Sequence, residues 1–277
     1  MKKSLAAFIL AVALTGCANL DEVRQFAGES AKLGAYTELT TNFRETFARE
    51  EPYLTGPALE LAKQNDQQRA AAYADLLAVH ETVSLYMLTL ARLAGSESFD
   101  LSARFDAFTS EVKAHPELGF DAGHAGAVAS IGKTIGKWMS AQAQAEAVQD
   151  MIREGNAPLQ QSLDGMSSLL RAYRKTHDNE RQTVLGLYES EFALAQAQPK
   201  DRLLMALARK DYLAKRAEFA ARAPKFDAAE AAIREVAAGH EHLYENVDAL
   251  GTPRLKDELT RLTQRIRTLT ETIRALH

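Results

Sequence analysis

The chain has 277 residues, 46% of them hydrophobic and 25% charged, with a formal net charge of −4 at pH 7. That length allows one large domain or two small ones. The mildly acidic balance gives no electrostatic reason to bind nucleic acid or an anionic lipid surface. Ala, Leu, Glu, Gln, Lys and Arg dominate, and these are strong helix formers. Period-two alternation is not evident anywhere. The predicted fold class is therefore all-α.

The chain opens on Met1-Lys2-Lys3, continues as an apolar run from Leu5 to Leu14, and reaches Leu14-Thr15-Gly16-Cys17. The run is long enough for the core of an export signal and too short to span a bilayer. Leu-Thr-Gly-Cys at the end of such a core resembles the lipobox of bacterial lipoproteins. The resemblance covers residues 1–17 alone and carries no information on activity. It implies that residues 1–16 are a signal peptide that is removed, that the Cys17 thiol takes a diacylglyceryl group, and that its new amino group is often acylated as well. Stable anchoring takes more than one chain, at about 0.8 kcal/mol per buried methylene, and Cys17 would carry two or three. Ala18 stands where an Asp would imply inner-membrane retention, so the sorting rule of that class favours an outer membrane, with the body facing the periplasm. The competing reading is an ordinary secretory signal with a chance cysteine near its end. With Cys17 lipidated, no thiol remains for disulfides, thiolate metal ligands or cysteine catalysis. Loss of Lys2 and Lys3 takes the formal charge from −4 to −6. Residues 17–277 are expected to form a single lipid-anchored helical-bundle domain stabilised by packing.

Seven helical segments are predicted in that body. The first covers about Asp21 to Arg49 and stops before Pro52. The second covers about Pro57 to Ala94, where Leu76, Val79, Val83, Tyr86, Leu90 and Leu93 repeat at three- and four-residue spacing. A shorter helix, Leu101 to Ala114, is expected to bury Phe105 and Phe108. A fourth runs from Ala122 to Glu154 and ends at Gly155-Asn156. A fifth runs from Pro158 to about Gln196. The sixth, Asp201 to about Leu250, contains Pro224, which should kink or break it because proline removes a backbone donor. The seventh has Thr252 as N-cap and Pro253 in its first turn. In it Leu255, Leu259, Leu262, Ile266, Leu269, Ile273 and Leu276 follow 4-3-4-3-4-3 spacing, an a/d heptad seam. The seam is an interaction candidate, either in a parallel homo-oligomer or within the chain. Lys256, Glu258, Thr263, Arg265, Thr270 and Thr272 at e and g offer few complementary charges, which favours a seam inside the bundle. Helices of 30–40 residues are roughly 45–60 Å long, and with short turns they predict an elongated antiparallel bundle of coiled-coil-like helices.

Ala127-Val128-Ala129-Ser130-Ile131-Gly132-Lys133-Thr134 fits a relaxed Walker A pattern. A phosphate loop needs a strand before it and a helix after it, and neither context is predicted. The same stretch places Gly126, Ala129, Gly132 and Gly136 at helical spacing. Such a face permits close helix approach or a mobile, membrane-inserting hairpin. His240-Glu241-His242 with Glu245 is the suggestive metal cluster. It lacks the paired Glu-x-x-His of di-iron bundles, so no metal and no cofactor are expected. No setting for nucleophilic catalysis is recognisable. The expected function is a lipid-anchored cell-envelope protein acting as a non-enzymatic helical scaffold or protein-interaction module. Its partners would be the membrane, through the acyl chains on Cys17, and an unknown envelope protein or a second copy. Two alternatives compete. One is an immunity or inhibitor lipoprotein that binds a periplasmic toxin or hydrolase. The other is a membrane-active protein using the Gly119–Gly136 region.

Overall fold

The computed structural model describes residues 20–33, 35–95, 101, 104, 111–142, 144–195 and 202–275. Among them are eight α-helices and no strand. They are α1 Asp21–Ser30, α2 Ala35–Arg44, α3 Thr46–Glu50, α4 Gly56–Leu93, α5 Ala122–Trp138, α6 Ala145–Ala195, α7 Arg202–Glu245 and α8 Pro253–Ala275. The all-α helical bundle expected from composition is the fold. Cys17, Phe105, Phe108 and Leu276 lie outside the described residues.

Three boundaries differ from the periodicity reading. The first predicted helix is three short ones. Ala31 to Leu33 turn between α1 and α2, and the Ala31 carbonyl accepts from Ser84 Oγ at 2.8 Å. Thr40 and Thr41 bond back to the carbonyls four residues earlier, a competition with the helix ladder that weakens continuous helix here. The second difference lies at Gly155-Asn156, which does not break the chain. The break comes at residues 139–144, where the Arg92 guanidinium donates to the carbonyls of Trp138, Met139 and Ala141 at 3.0, 2.5 and 3.1 Å. Those orphan carbonyls end α5, and α6 then runs 51 residues through Gly155 and Pro158. Third, Pro224 leaves α7 continuous over 44 residues. It is solvent-exposed, so the carbonyl it deprives of a donor can turn to water.

α4 is the central helix. Its stretch from Thr82 to Ala91 is buried on every side, as expected of a helix surrounded by others. α1, α2, α5 and α6 pack around it, while α7 pairs with α6, and α8 packs on α7 and α1. One apolar cluster reaches from Leu20 to Ile273. Leu255, Leu259, Leu262, Ile266 and Ile273 of the heptad seam are buried in it and Leu269 packs at its edge, so the seam is occupied within the chain.

α6 and α7 form an antiparallel hairpin whose partners mark successive levels along it. Tyr86 Oη lies near the Met151 carbonyl, and Tyr36 Oη donates to the Met166 carbonyl at 2.7 Å. Phe43 stacks on Tyr173, and the Tyr53 ring meets Tyr188. Phe26 of α1 lies against Gly239, and Gln160 reaches the Ala237 carbonyl beside it. Leu20 therefore lies near the start of α6, and the far end of the hairpin is on the order of 60 Å away at 1.5 Å per residue.

α5 is capped reciprocally: His124 N–H donates to Asp121 Oδ1 at 3.0 Å and Asp121 N–H to His124 Nδ1 at 3.1 Å. That leaves Nε2–H to donate to Asp164 at 3.1 Å. The face α5 buries consists of His124, Ala127, Val128, Ile131, Gly132, Thr134 and Ile135.

Candidate functional site

The distal hairpin is where the chain departs most from a closed bundle. At its base lies a charged belt. Arg49 Nε and Nη2 donate to the two carboxylate oxygens of Glu180 at 2.7 and 2.8 Å, a fork geometry that is among the stronger hydrogen-bonded pairs. Glu180 is 1% exposed. Arg222 Nη1 lies 3.7 Å from it and also bonds Glu218. The buried Lys225 donates to Glu38 at 2.8 Å. His177 sits in the same layer between the rings of Phe219 and Phe226, and burial lowers its pKa below the ordinary value.

Beyond the Tyr53–Tyr188 contact, the ring and hydrogen-bond contacts among the described residues run only between or within α6 and α7. Tyr212 packs edge to face on Tyr188 and Phe192, whose own rings are tilted against each other. Tyr188 donates to Asp211, and Tyr212 donates to Glu189 at 2.9 Å. On α7, Met205, Ala208, Tyr212, Lys215 and Phe219 form the less exposed side toward α6. Leu203 and Leu207 fall on the opposite side at helical spacing. Leu203 is 74% exposed, Leu204 63%, Leu207 56%, Leu213 59%, and Leu194 at the end of α6 68%. Single exposed leucines are ordinary, whereas a cluster of this kind marks an interaction surface. Arg202, Arg209, Lys210 and Arg216 stand exposed among them. Between the helices a groove of about 620 Å³ is lined by Arg181, Tyr212, Arg216 and Phe219.

Sequence reasoning missed this surface by averaging charge over the chain. Its signal is local: Arg202-Leu203-Leu204 and Leu207 followed by Arg209, Lys210, Lys215 and Arg216 make a basic helix with leucines on its outer side.

The other candidate residues lie elsewhere. The small-residue stripe is not a tightly packed face. Gly126 and Gly136 are exposed, Ala129 is half-buried, and only Gly132 is buried. A Cβ on Gly126 would meet nothing within 4 Å. The packed side of α5 is its branched apolar side, so the stripe is offset from the contact. Close approach occurs instead at Gly155, where an added Cβ would lie 2.2 Å from Tyr86 Oη, and at Gly239, where it would lie 2.3 Å from the Phe26 ring. Gly126→Ala is expected to raise stability by about 0.5–1 kcal/mol through helix propensity. Gly155→Ala should lower it by about 1–3 kcal/mol through overpacking. Urea unfolding of the two variants checks the pair. The Walker-like stretch is continuous α-helix from Ala122, and Thr134 Oγ1 bonds the Ser130 carbonyl at 3.2 Å.

His240 and His242 diverge. His240 is fully buried: Nδ1–H donates to Asn156 Oδ1 at 2.9 Å, and Nε2 accepts from Tyr86 Oη at 2.8 Å. Asn156 Nδ2–H donates to Glu241 at 2.9 Å, which fixes the amide and hence this neutral tautomer. Burial takes the His240 pKa to about 3. His242 is half-buried, 3.2 Å from Glu258 and 3.6 Å from Glu245. Among the described residues no three His, Cys, Asp or Glu side chains converge as a metal site requires. Compared with family models, curated proteins and solved structures, the chain matches none of the three.

Proposed function

We propose that the protein is a bacterial lipoprotein of the cell envelope, held through acyl chains on Cys17 in the outer membrane and facing the periplasm. In this reading it is a non-enzymatic helical scaffold. The heptad helix α8 is a coiled-coil-like brace, and the distal hairpin is the part offered to another envelope component. The observation that carries the reading is the separation of the two ends. Leu20, the first described residue, is buried at one end of the bundle, and the exposed leucines lie about 60 Å away along α6. His240 and Glu180 support a structural role for these two buried groups, since the polar atoms of both are bonded inside the fold.

Mass measurement of the N-terminal peptide should show a diacylglyceryl thioether on Cys17, and Cys17→Ser should release the chain from the membrane fraction. If both forms fractionate alike, the anchor is wrong. Photo-crosslinkers at Leu194 and Leu213 in intact cells should give adducts to a component other than the chain itself. Recovery of the monomer alone would end the scaffold reading.

A further inference from the structure

We infer that the distal end of the α6–α7 hairpin docks on an anionic lipid surface. Three features of α7 carry this. Leu203, Leu204 and Leu207 are each more than half exposed and lie within a turn and a half of the helix start. Arg202, Arg209, Lys210 and Arg216 are exposed beside them, and no carboxylate lies within ion-pair distance of these four among the described residues. Of the nearby acids, Asp211 and Glu189 accept from the tyrosine hydroxyls between the two helices and Glu191 is exposed on α6, so on α7 the four exposed cations outnumber Asp211. A helix with leucines on one sector and Lys/Arg flanking it is the pattern that settles at the headgroup–acyl boundary. The cations are attracted to anionic headgroups within a Debye length, so the acidity of the body many ångströms away does not cancel them.

A second copy of the chain fits the same surface less well. Leu203, Leu207 and Lys210 share a face at 4-3 spacing. A two-fold contact through the leucines would draw Lys210 of each copy into a drying interface without a carboxylate to meet it on that face. At a lipid surface the lysine stem can lie along the acyl boundary while the ammonium reaches phosphate.

The docking stands on the hairpin alone. That the docked surface is a second membrane, distinct from the one holding the N-terminus, rests on the proposed Cys17 anchor.

The test is vesicle capture. Full chain purified from membranes is reconstituted into phosphatidylcholine vesicles and offered labelled vesicles, either of phosphatidylcholine or of equal parts phosphatidylcholine and phosphatidylglycerol. The expected result is capture of the anionic vesicles only. Affinity should fall about thirty-fold in Arg209→Gln/Lys210→Gln, since each cation near the surface counts for a factor of about five. Capture should disappear in Leu203→Ser/Leu207→Ser, with an unchanged far-ultraviolet spectrum. A chain that does not insert speaks against the anchor, and docking is then read by flotation with the same anionic vesicles. Equal capture of both vesicle types, or variants that capture like the parent, overturns the proposal. So does absence of capture with crosslinking of two copies through Leu203, which would assign the surface to self-association.

Discussion

Glu180→Ala should destabilise the protein by about 3–5 kcal/mol, because it leaves the guanidinium of Arg49 desolvated and uncompensated. Glu180 is almost wholly buried, with both oxygens held by Arg49 and Arg222 close by. Arg49 also donates to the Asn42 carbonyl and to Thr46 Oγ1, so it cannot turn to solvent without releasing the end of α2. The control is the exposed pair Lys63–Glu60 at 2.9 Å, whose loss should cost no more than about 0.5 kcal/mol. Chemical denaturation of both variants, with the midpoint read at unchanged slope, separates the two outcomes. A loss below about 1 kcal/mol for Glu180→Ala would mean that the belt is a surface feature.

Stability should also fall steeply in mild acid. Burial takes the pKa of His240 to about 3 and that of His80 to about 4, from an ordinary 6.5. Below pH 6.5 the unfolded chain takes up protons that the folded chain refuses. The unfolded state therefore binds more protons between pH 6.5 and the folded values, and stability drops as pH falls through that window. Each histidine contributes on the order of 3 kcal/mol between pH 6.5 and pH 4, and His177 acts in the same direction. Above pH 6.5 the contribution is fully present and flat. Thermal unfolding against pH should show this slope. His80→Gln and His240→Gln should each flatten it, whatever they do to the absolute midpoint. If neither variant changes the slope, carboxylates rather than these imidazoles govern acid unfolding.

Helix type and most helix cores were legible from sequence because they depend on local spacing. The heptad of α8 and the stripe from Leu76 to Leu93 are set by side chains within one helix, and they lie where the period puts them. The failures share a cause. Gly155-Asn156 reads as a stop, yet Gly155 is bare to admit the Tyr86 ring and Asn156 holds His240. Both reasons come from residues far along the chain. The α5 end has no glycine or proline to mark it and is made by Arg92, distant in sequence. The stripe of Gly126, Ala129, Gly132 and Gly136 suggested close packing, whereas the glycines set tight against aromatic rings are Gly155 and Gly165 in α6 and Gly239 in α7. Of the candidate site, the leucines and cations were visible as letters. Their exposure was not, since an amphipathic helix looks the same whether its apolar side meets the core or the outside.

The two ring-on-backbone contacts fix how the long helices can move. Tyr86 lies on Gly155 and Phe26 on Gly239. A one-turn slip of α6 past α4 would bring Met151 or Leu159 to the Tyr86 ring, and a like slip of α7 past α1 would bring Glu235 or Leu243 to Phe26. Axial sliding is thus pinned at two places near the Leu20 end. Farther along, the hairpin is held again by Tyr36 on the Met166 carbonyl, by Arg49 on Glu180 and by Tyr53 against Tyr188, so a push or pull at its far end passes down the helices like a load on a strut.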